Sequence, residues 1–261
     1  MGLLAARIGD KSALMLVRKY LKAGVLEDGL VKPTVEGQPQ GGPLSPWLSN
    51  VMLDVLDKEL ERRGHKFVRY ADDSNVYVAS QRAGERVMAS ITKFLQSKLK
   101  LRVNQEKSAV DRPQRRKFLG YSLTGGESPR RRIAPQAIAR MKKRVRELTR
   151  KTKGMSLKQT VERLARYLTG WRGYFRFCET PSVLAQLDGW IRRRLRRYIW
   201  VQWKRGRKRY AELRARGVSK GLAAQTAGSP HGAWRLSNSP ALAIAFPNKY
   251  FSELGLPQLA A

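Results

Sequence analysis

Asp72 and Asp73 stand side by side in the run Tyr70-Ala71-Asp72-Asp73, between the strand-like segments Phe67–Tyr70 and Asn75–Val78. Adjacent carboxylates on a tight turn repel each other, and a bound divalent cation relieves that repulsion. Held at the tip of a rigid hairpin, such a pair suits metal-assisted phosphoryl or nucleotidyl transfer, in which the ions activate the attacking oxygen and neutralise the departing pyrophosphate. Acidic residues are also ordinary in turns, so the dipeptide alone reads better as a plain turn, and it is the neighbouring segments that reverse this. Upstream, Gln38-Pro39-Gln40-Gly41-Gly42-Pro43-Leu44-Ser45-Pro46 places a Gly-rich turn directly before a helical pattern. Such a turn lets backbone approach a ligand closely, and the helix start offers free N–H groups to an anion or a base edge. The glycines equally serve the turn itself. Downstream lie Asn104…Lys107-Ser108 and then Lys117-Phe118-Leu119-Gly120-Tyr121, with Lys107 one of 53 Lys and Arg residues.

The elements that must position these residues alternate in type. Periodicity predicts helices over 11–23, 46–63 and 81–99, a short hairpin around Asp28-Gly29, two strands flanking a four-residue turn at Ala71–Ser74, and a strand near 117–122. This is the pattern of an α+β domain. Gly125-Gly126-Glu127-Ser128-Pro129 has linker chemistry. Beyond it the pattern turns helical, over about 135–152, 156–168, 180–203 and 205–216. The implied organisation is residues 1–124, a helical segment 130–203, and a basic-to-neutral C-terminal segment 204–261. The tail after Ser219 carries no legible chemistry.

The charge balance narrows the partners. The 261 residues hold 53 Lys and Arg against 20 Asp and Glu, a net +33. Between Arg130 and Lys220 there are 29 basic and 5 acidic residues, so most of the excess lies in the helical segment. A field of this size favours a polyanion, because each neutralised phosphate releases condensed counterions. No apolar run is long enough to span a bilayer, and no secretory leader is evident. A single cysteine, Cys178, fits a reducing cytoplasm. With only two histidines no zinc cluster can be assembled. The basic residues of the helical segment alternate with Tyr167, Trp171, Tyr174, Phe175, Phe177, Trp190, Tyr198, Trp200 and Trp203. Such rings stack on unpaired bases or fill a helical core. Arg192, Arg193, Arg194, Arg196 and Arg197 crowd five like charges into six residues, an arrangement best relieved by a polyanion.

In order and spacing these segments resemble the later palm motifs of group II intron reverse transcriptases. Gln40–Pro46 is similar to their template and nucleotide contact motif, Tyr70–Asp73 to their metal-binding turn, Asn104–Lys107 to the motif that follows, and Lys117–Tyr121 to the primer-grip strand. Tyr167-Leu168-Thr169-Gly170-Trp171-Arg172-Gly173-Tyr174-Phe175 resembles the core of their thumb or maturase segment, which binds intron RNA. The resemblance implies a palm remnant followed by an α-helical thumb. It implies that Asp72 is a direct ligand of a two-ion Mg²⁺ site with Asp73 a less direct partner. Tyr70 would lie near the primer terminus, Gln40 and Gly41 beneath the template–nucleotide pair, and Lys107 near the triphosphate. Arg172 and the arginines of 192–197 would contact RNA.

The family's first catalytic aspartate belongs to an upstream Phe-Phe-Asp-like block, and Met1–Asp10 resembles the helix that follows it. Neither that block nor the basic finger strands has a counterpart in these residues, and Asp10, Asp28, Asp54 and Asp57 stand in other contexts. A two-ion site lacking one carboxylate should misplace the nucleophile. The expectation is therefore a polymerase lineage, taking RNA template, DNA primer and dNTP if active but impaired alone unless a second chain supplies the absent part. The alternative is a non-catalytic RNA-binding maturase that acts as a splicing cofactor on group II intron RNA. No membrane association is expected.

Overall fold

The computed structural model describes residues 1–23, 25–27, 30–32, 42–150 and 154–260, with the backbone alone for 25–27 and 30–32. Gln40, Gly41 and the Asp28-Gly29 turn lie outside the described residues. The chain divides into two units, Met1–Arg112 and Pro113–Ala261.

The first unit begins with α1 (Gly2–Ala5) and α2 (Lys11–Lys22). Asp10 caps α2, its carboxylate accepting from the Ser12 and Ala13 N–H groups, the usual task of an aspartate at this position. Strands β1 (Val25–Glu27) and β2 (Leu30–Lys32) pair antiparallel. Helix α3 (Ser45–Arg62) carries Pro46 in its first turn, where a missing N–H costs nothing, and buries Leu56 and Leu60. Leu4 of α1 is buried as well, and Arg7 just beyond α1 pairs with Asp54 of α3. Then follow β3 (Lys66–Tyr70) and β4 (Asp73–Tyr77), an antiparallel hairpin, and α4 (Gln81–Phe94), capped by Ser80 and continued by a wider turn over Leu95–Leu99. Gly84 of α4 lets the segment after that turn come close, since a Cβ there would lie 2.5 Å from Val110 Cγ1.

The second unit opens with a 3₁₀ turn at Pro113–Arg115 and the hairpin β5 (Tyr121–Leu123) and β6 (Arg131–Ile133). Gly125–Pro129, which has the composition of a linker, is the loop of this hairpin. Thr124 closes it, its N–H donating to the Arg130 carbonyl and its hydroxyl accepting from the Arg130 N–H. The expected strand at 117–122 is confined to β5, and its partner β6 carries no strand pattern in the sequence.

Helices α5 (Pro135–Leu148), α6 (Leu157–Tyr174), α7 (Pro181–Gln202) and α8 (Gly206–Ala215) follow. The first three each present one apolar stripe at helical spacing: Ala137, Met141, Val145 and Leu148 on α5, Val161, Leu164 and Leu168 on α6, Leu184, Leu187, Ile191 and Leu195 on α7. Ser156 and Gln159 form a reciprocal capping box that starts α6. The tail is part of the same core. Helices α9 (Lys220–Ala227), α10 (Ala233–Leu236), α11 (Pro240–Ala245) and α12 (Asn248–Glu253) bring Leu236, Leu242, Phe246, Phe251 and Leu259 into the core built by α7 and α8. The buried Asp188 carboxylate of α7 fastens the end by accepting from the N–H groups of Leu259 and Ala260. Helices with small antiparallel hairpins make the whole an α+β fold. Among the described residues no helix is long and apolar enough to cross a membrane.

Candidate functional site

The two carboxylates sit at the tip of β3–β4. Tyr70 pairs with Asp73 across the ladder, so the turn is the two residues Ala71 and Asp72, and Asp73 begins β4. The four-residue turn expected from sequence is thus shorter by two, because Asp73 and Ser74 continue the ladder. Ala71 takes φ +53° while Asp72 stays at negative φ, so the first position of the turn holds an alanine in a region that favours glycine. Asp72 and Asp73 are exposed, and neither has a hydrogen-bond or ion-pair partner among the described residues. Tyr70 is 63% exposed.

What fixes the tip is a residue that sequence reasoning missed. Strand β3 alternates, with Phe67 and Arg69 turned inward and Lys66, Val68 and Tyr70 outward. Arg69 grips Asp57 of α3 through two nitrogens, Nε at 2.7 Å and Nη2 at 2.5 Å. Its Nη1 donates to Asn50 Oδ1 and to the Ala71 carbonyl, each at 2.8 Å. The Asp57 carboxylate raises the Arg69 guanidinium above its usual range, against the opposing effect of burial. One side chain therefore ties the strained turn to α3. The available signal was a cation at an inward strand position facing a helix that carries Asn50 and Asp57 seven residues apart on one face.

The other candidates are placed as follows. Gly42, the first described residue of the Gly-rich motif, offers its carbonyl to the Ser45 N–H at the start of α3, whose N-cap Leu44 supplies no side-chain cap. Asn104 accepts from the Lys107 N–H in a short turn, and the Lys107 side chain is exposed. Of the carboxylates considered for a third ligand, Asp10 caps α2, Asp54 pairs with Arg7 and Lys58, and Asp57 holds Arg69. Among the described residues no group of three His, Cys, Asp or Glu is arranged to hold a metal. Reverse transcriptases as a family use divalent metal, but Asp72 and Asp73 offer too few oxygens for two ions. The described residues do not fit the two-ion arrangement.

In the second unit the arginine run divides. Arg193 stacks over Trp234 at 4.1 Å and donates to the Trp234 carbonyl and the Ser237 hydroxyl. Arg196 donates twice to the Phe246 carbonyl. Both are thereby committed to holding the tail. Arg194 donates to Thr149 Oγ1 at 2.8 Å. Burial, then the neighbouring Arg197 and Arg146, pull its guanidinium below the usual range. Arg192 and Arg197 are half-buried with no hydrogen-bond or ion-pair partner among the described residues, and Arg172 lies half-buried in the last turn of α6. The aromatic rings divide too: Phe175, Tyr198, Trp200 and Trp203 are buried, Tyr167, Trp171 and Trp190 half-buried, Tyr174 and Phe177 exposed. Several of the alternating cations cover rings internally, Arg209 over Trp200 at 4.6 Å and Arg216 over Trp203 at 5.4 Å.

The motifs Lys117–Tyr121 and Tyr167–Phe175, distant in sequence, meet. Gly120, at φ +78°, brings backbone onto Phe175, where a Cβ would stand 3.1 Å from Cζ. The Tyr121 hydroxyl donates to the Tyr174 carbonyl and the Tyr174 hydroxyl to the Leu119 carbonyl.

Comparison with known proteins places both modules. Residues 4–123 match the reverse transcriptase (RNA-dependent DNA polymerase) family, and residues 138–217 match the group II intron maturase-specific domain. A polymerase-type hairpin unit joined to a maturase-type helical unit defines the class. The group II intron-encoded protein LtrA of Lactococcus lactis subsp. cremoris is 27% identical over 187 residues, covering 47% of this chain and 31% of LtrA. The protein YkfC of Escherichia coli (strain K12) is 30% identical over 138 residues, covering 40% of this chain and 36% of YkfC. The chain thus spans about a third of the length of these curated relatives. The two matched regions, in this order, fit a group II intron reverse transcriptase/maturase.

Proposed function

We propose that this chain serves group II intron splicing as an RNA-binding maturase unit, gripping intron RNA through its helical segment, and that these residues alone do not complete a polymerase centre. The observation that carries the reading is the cluster of Arg146, Arg194 and Arg197. Arg197 and Arg146 add their repulsion to the burial that already disfavours the charge on Arg194, and among the described residues no carboxylate neutralises it. A half-buried guanidinium among like charges is costly until an anion arrives, and RNA phosphates supply anions at regular spacing. Arg146 and Lys142 also flank the Trp190 ring, each at 5.6 Å, which stiffens the cationic face before binding.

The polymerase reading is favoured by Asp72 and Asp73 at their hairpin tip. Mg²⁺ would be their partner in a complete site, with RNA template, DNA primer and dNTP as substrates and a further carboxylate supplied by a second chain. The two readings separate in one experiment. The protein and its Asp72→Ala, Asp73→Ala double variant are titrated with structured intron RNA at several salt concentrations, beside primer extension on an RNA template with Mg²⁺. The expected outcome is equal, steeply salt-dependent RNA binding by both proteins and no extension by either. Robust extension by the parent that Asp72→Ala abolishes would overturn the non-catalytic part, and loss of binding in the double variant would overturn the placement of the RNA face.

A further inference from the structure

Between Gly120, just before β5, and helices α5 and α6, the second unit holds an open cleft of about 290 Å³. Tyr167, Trp171, Tyr174 and Phe175 from the end of α6 line it with Gly120, and Arg140 is the one charged residue among those lining it. The rings are held in fixed relation. Phe175 is buried and acts as hub, its centroid 4.7 Å from Trp171, 4.9 Å from Tyr174 and 5.2 Å from Tyr121. Tyr174 is pinned at its hydroxyl by the Leu119 carbonyl yet remains 56% exposed. Trp171 and Tyr167 are half-buried.

Rings that only fill a core close over one another at near-crystalline density. Here Phe175 is interred, Tyr174 stays exposed with its hydroxyl held, and Tyr167 and Trp171 pack against the core while still lining the cleft. A pre-ordered aromatic wall loses little rotamer freedom on binding. The mouth is cationic. Burial raises the Tyr167 hydroxyl above its usual range, and Arg144 and Arg140 lie near enough to oppose that rise. Arg140 has no acidic partner among the described residues. The volume falls just below the roughly 300–1,000 Å³ of pockets that enclose drug-sized ligands, which suits one flat ring system rather than a duplex.

We propose that this cleft receives one unpaired nucleobase of the bound RNA, stacked on the Trp171–Tyr174 wall, with Arg140 against the adjoining phosphate. The proposal rests on the RNA-binding reading above and specifies the nucleic acid further: an unstacked base within or beside a helix, rather than regular duplex. Every base has a π face, so the cleft would tolerate sequence while demanding that a base be free.

The test compares two RNAs bound by the full chain: a stem-loop with an adenosine loop, and the same stem-loop whose loop sugars carry no bases. The parent protein should prefer the base-bearing loop by about tenfold, the scale of one stacked base. Tyr174→Ala, at an exposed position, should bind both RNAs alike with the affinity the parent shows for the baseless loop. Tyr174→Phe keeps the exposed ring and should keep the preference, which separates loss of the stacking face in Tyr174→Ala from loss of the hydroxyl's hydrogen bond to Leu119. Equal binding of both RNAs by the parent would sink the cleft while leaving RNA binding intact, and so would a Tyr174→Ala protein that still discriminates. Failure to bind either RNA would sink both readings.

Discussion

At the scale of single residues, Ala71 and Arg69 show how the hairpin tip is made. An L-residue in the left-handed region costs about 1–2 kcal/mol, and Ala71 occupies that region with no side-chain hydrogen bond to compensate. Arg69 offsets part of this by holding the Ala71 carbonyl, and the remainder stays in the turn. Ala71→Gly should therefore stabilise the hairpin by about 0.5–1 kcal/mol, after glycine's greater freedom in the unfolded chain is set against the relieved strain. Native-state hydrogen exchange reads this locally: the amides of β3 and β4 should exchange more slowly in the variant. Unchanged or faster exchange would mean that the turn carries no strain worth relieving. The sequence made the place of Asp72 and Asp73 legible, because two strand-like runs bracket them. Arg69 was not legible from one element alone. Its partners Asn50 and Asp57 become visible only when the phase of β3 and the register of α3 are known together.

At the scale of elements, the long helices were readable and the short pieces were not, for a common reason. Helices α5, α6 and α7 carry three or more apolar residues on one stripe, enough for periodicity to announce them. The tail helices run four to eight residues, too short to repeat a pattern or to form alone, and exist because Phe246, Phe251 and Leu259 find a core already built. Strand β6 begins Arg131-Arg132, which hides it among basic residues. It is held there by Glu179, which accepts from the Arg131 side chain and N–H, each at 2.6 Å. Gly120 is the point on which this assembly closes. Substituting Gly120→Ala forces a side chain into a positive-φ position and against the Phe175 ring, and should cost about 2–3 kcal/mol. Chemical denaturation should show the loss in the transition that reports the second unit's tryptophans, while exchange at β3–β4 in the first unit stays as it was. A neutral outcome would show that the motif Lys117–Tyr121 does not need to lie so close to α6.

At the scale of the whole molecule, charge and core are distributed unequally. The buried apolar side chains of the first unit are Leu4, Leu56 and Leu60 among the described residues, while the second unit buries a continuous set from Ile133 to Leu259. The second unit also carries most of the +33, so the best-packed part of the chain is the part whose charge suits a polyanion. Composition alone treats the five arginines of 192–197 as one patch, yet removing all five at once would confuse two effects. Arg193 and Arg196 hold the tail through backbone carbonyls and a ring, so Arg193→Ala with Arg196→Ala should lower stability by about 2 kcal/mol or more, charge-assisted hydrogen bonds being the stronger kind. Arg192 and Arg197 have no such duties among the described residues. Arg192→Ala with Arg197→Ala should leave unfolding unchanged and make the dependence of log affinity on log salt shallower by about 1–2, near one unit for each phosphate left without its arginine. Salt titrations of RNA binding, run beside thermal melts of both pairs, decide the matter. If the first pair flattens the salt dependence with no loss of stability, or the second pair leaves the slope untouched, the division between arginines that build the fold and arginines that meet the RNA is drawn in the wrong place.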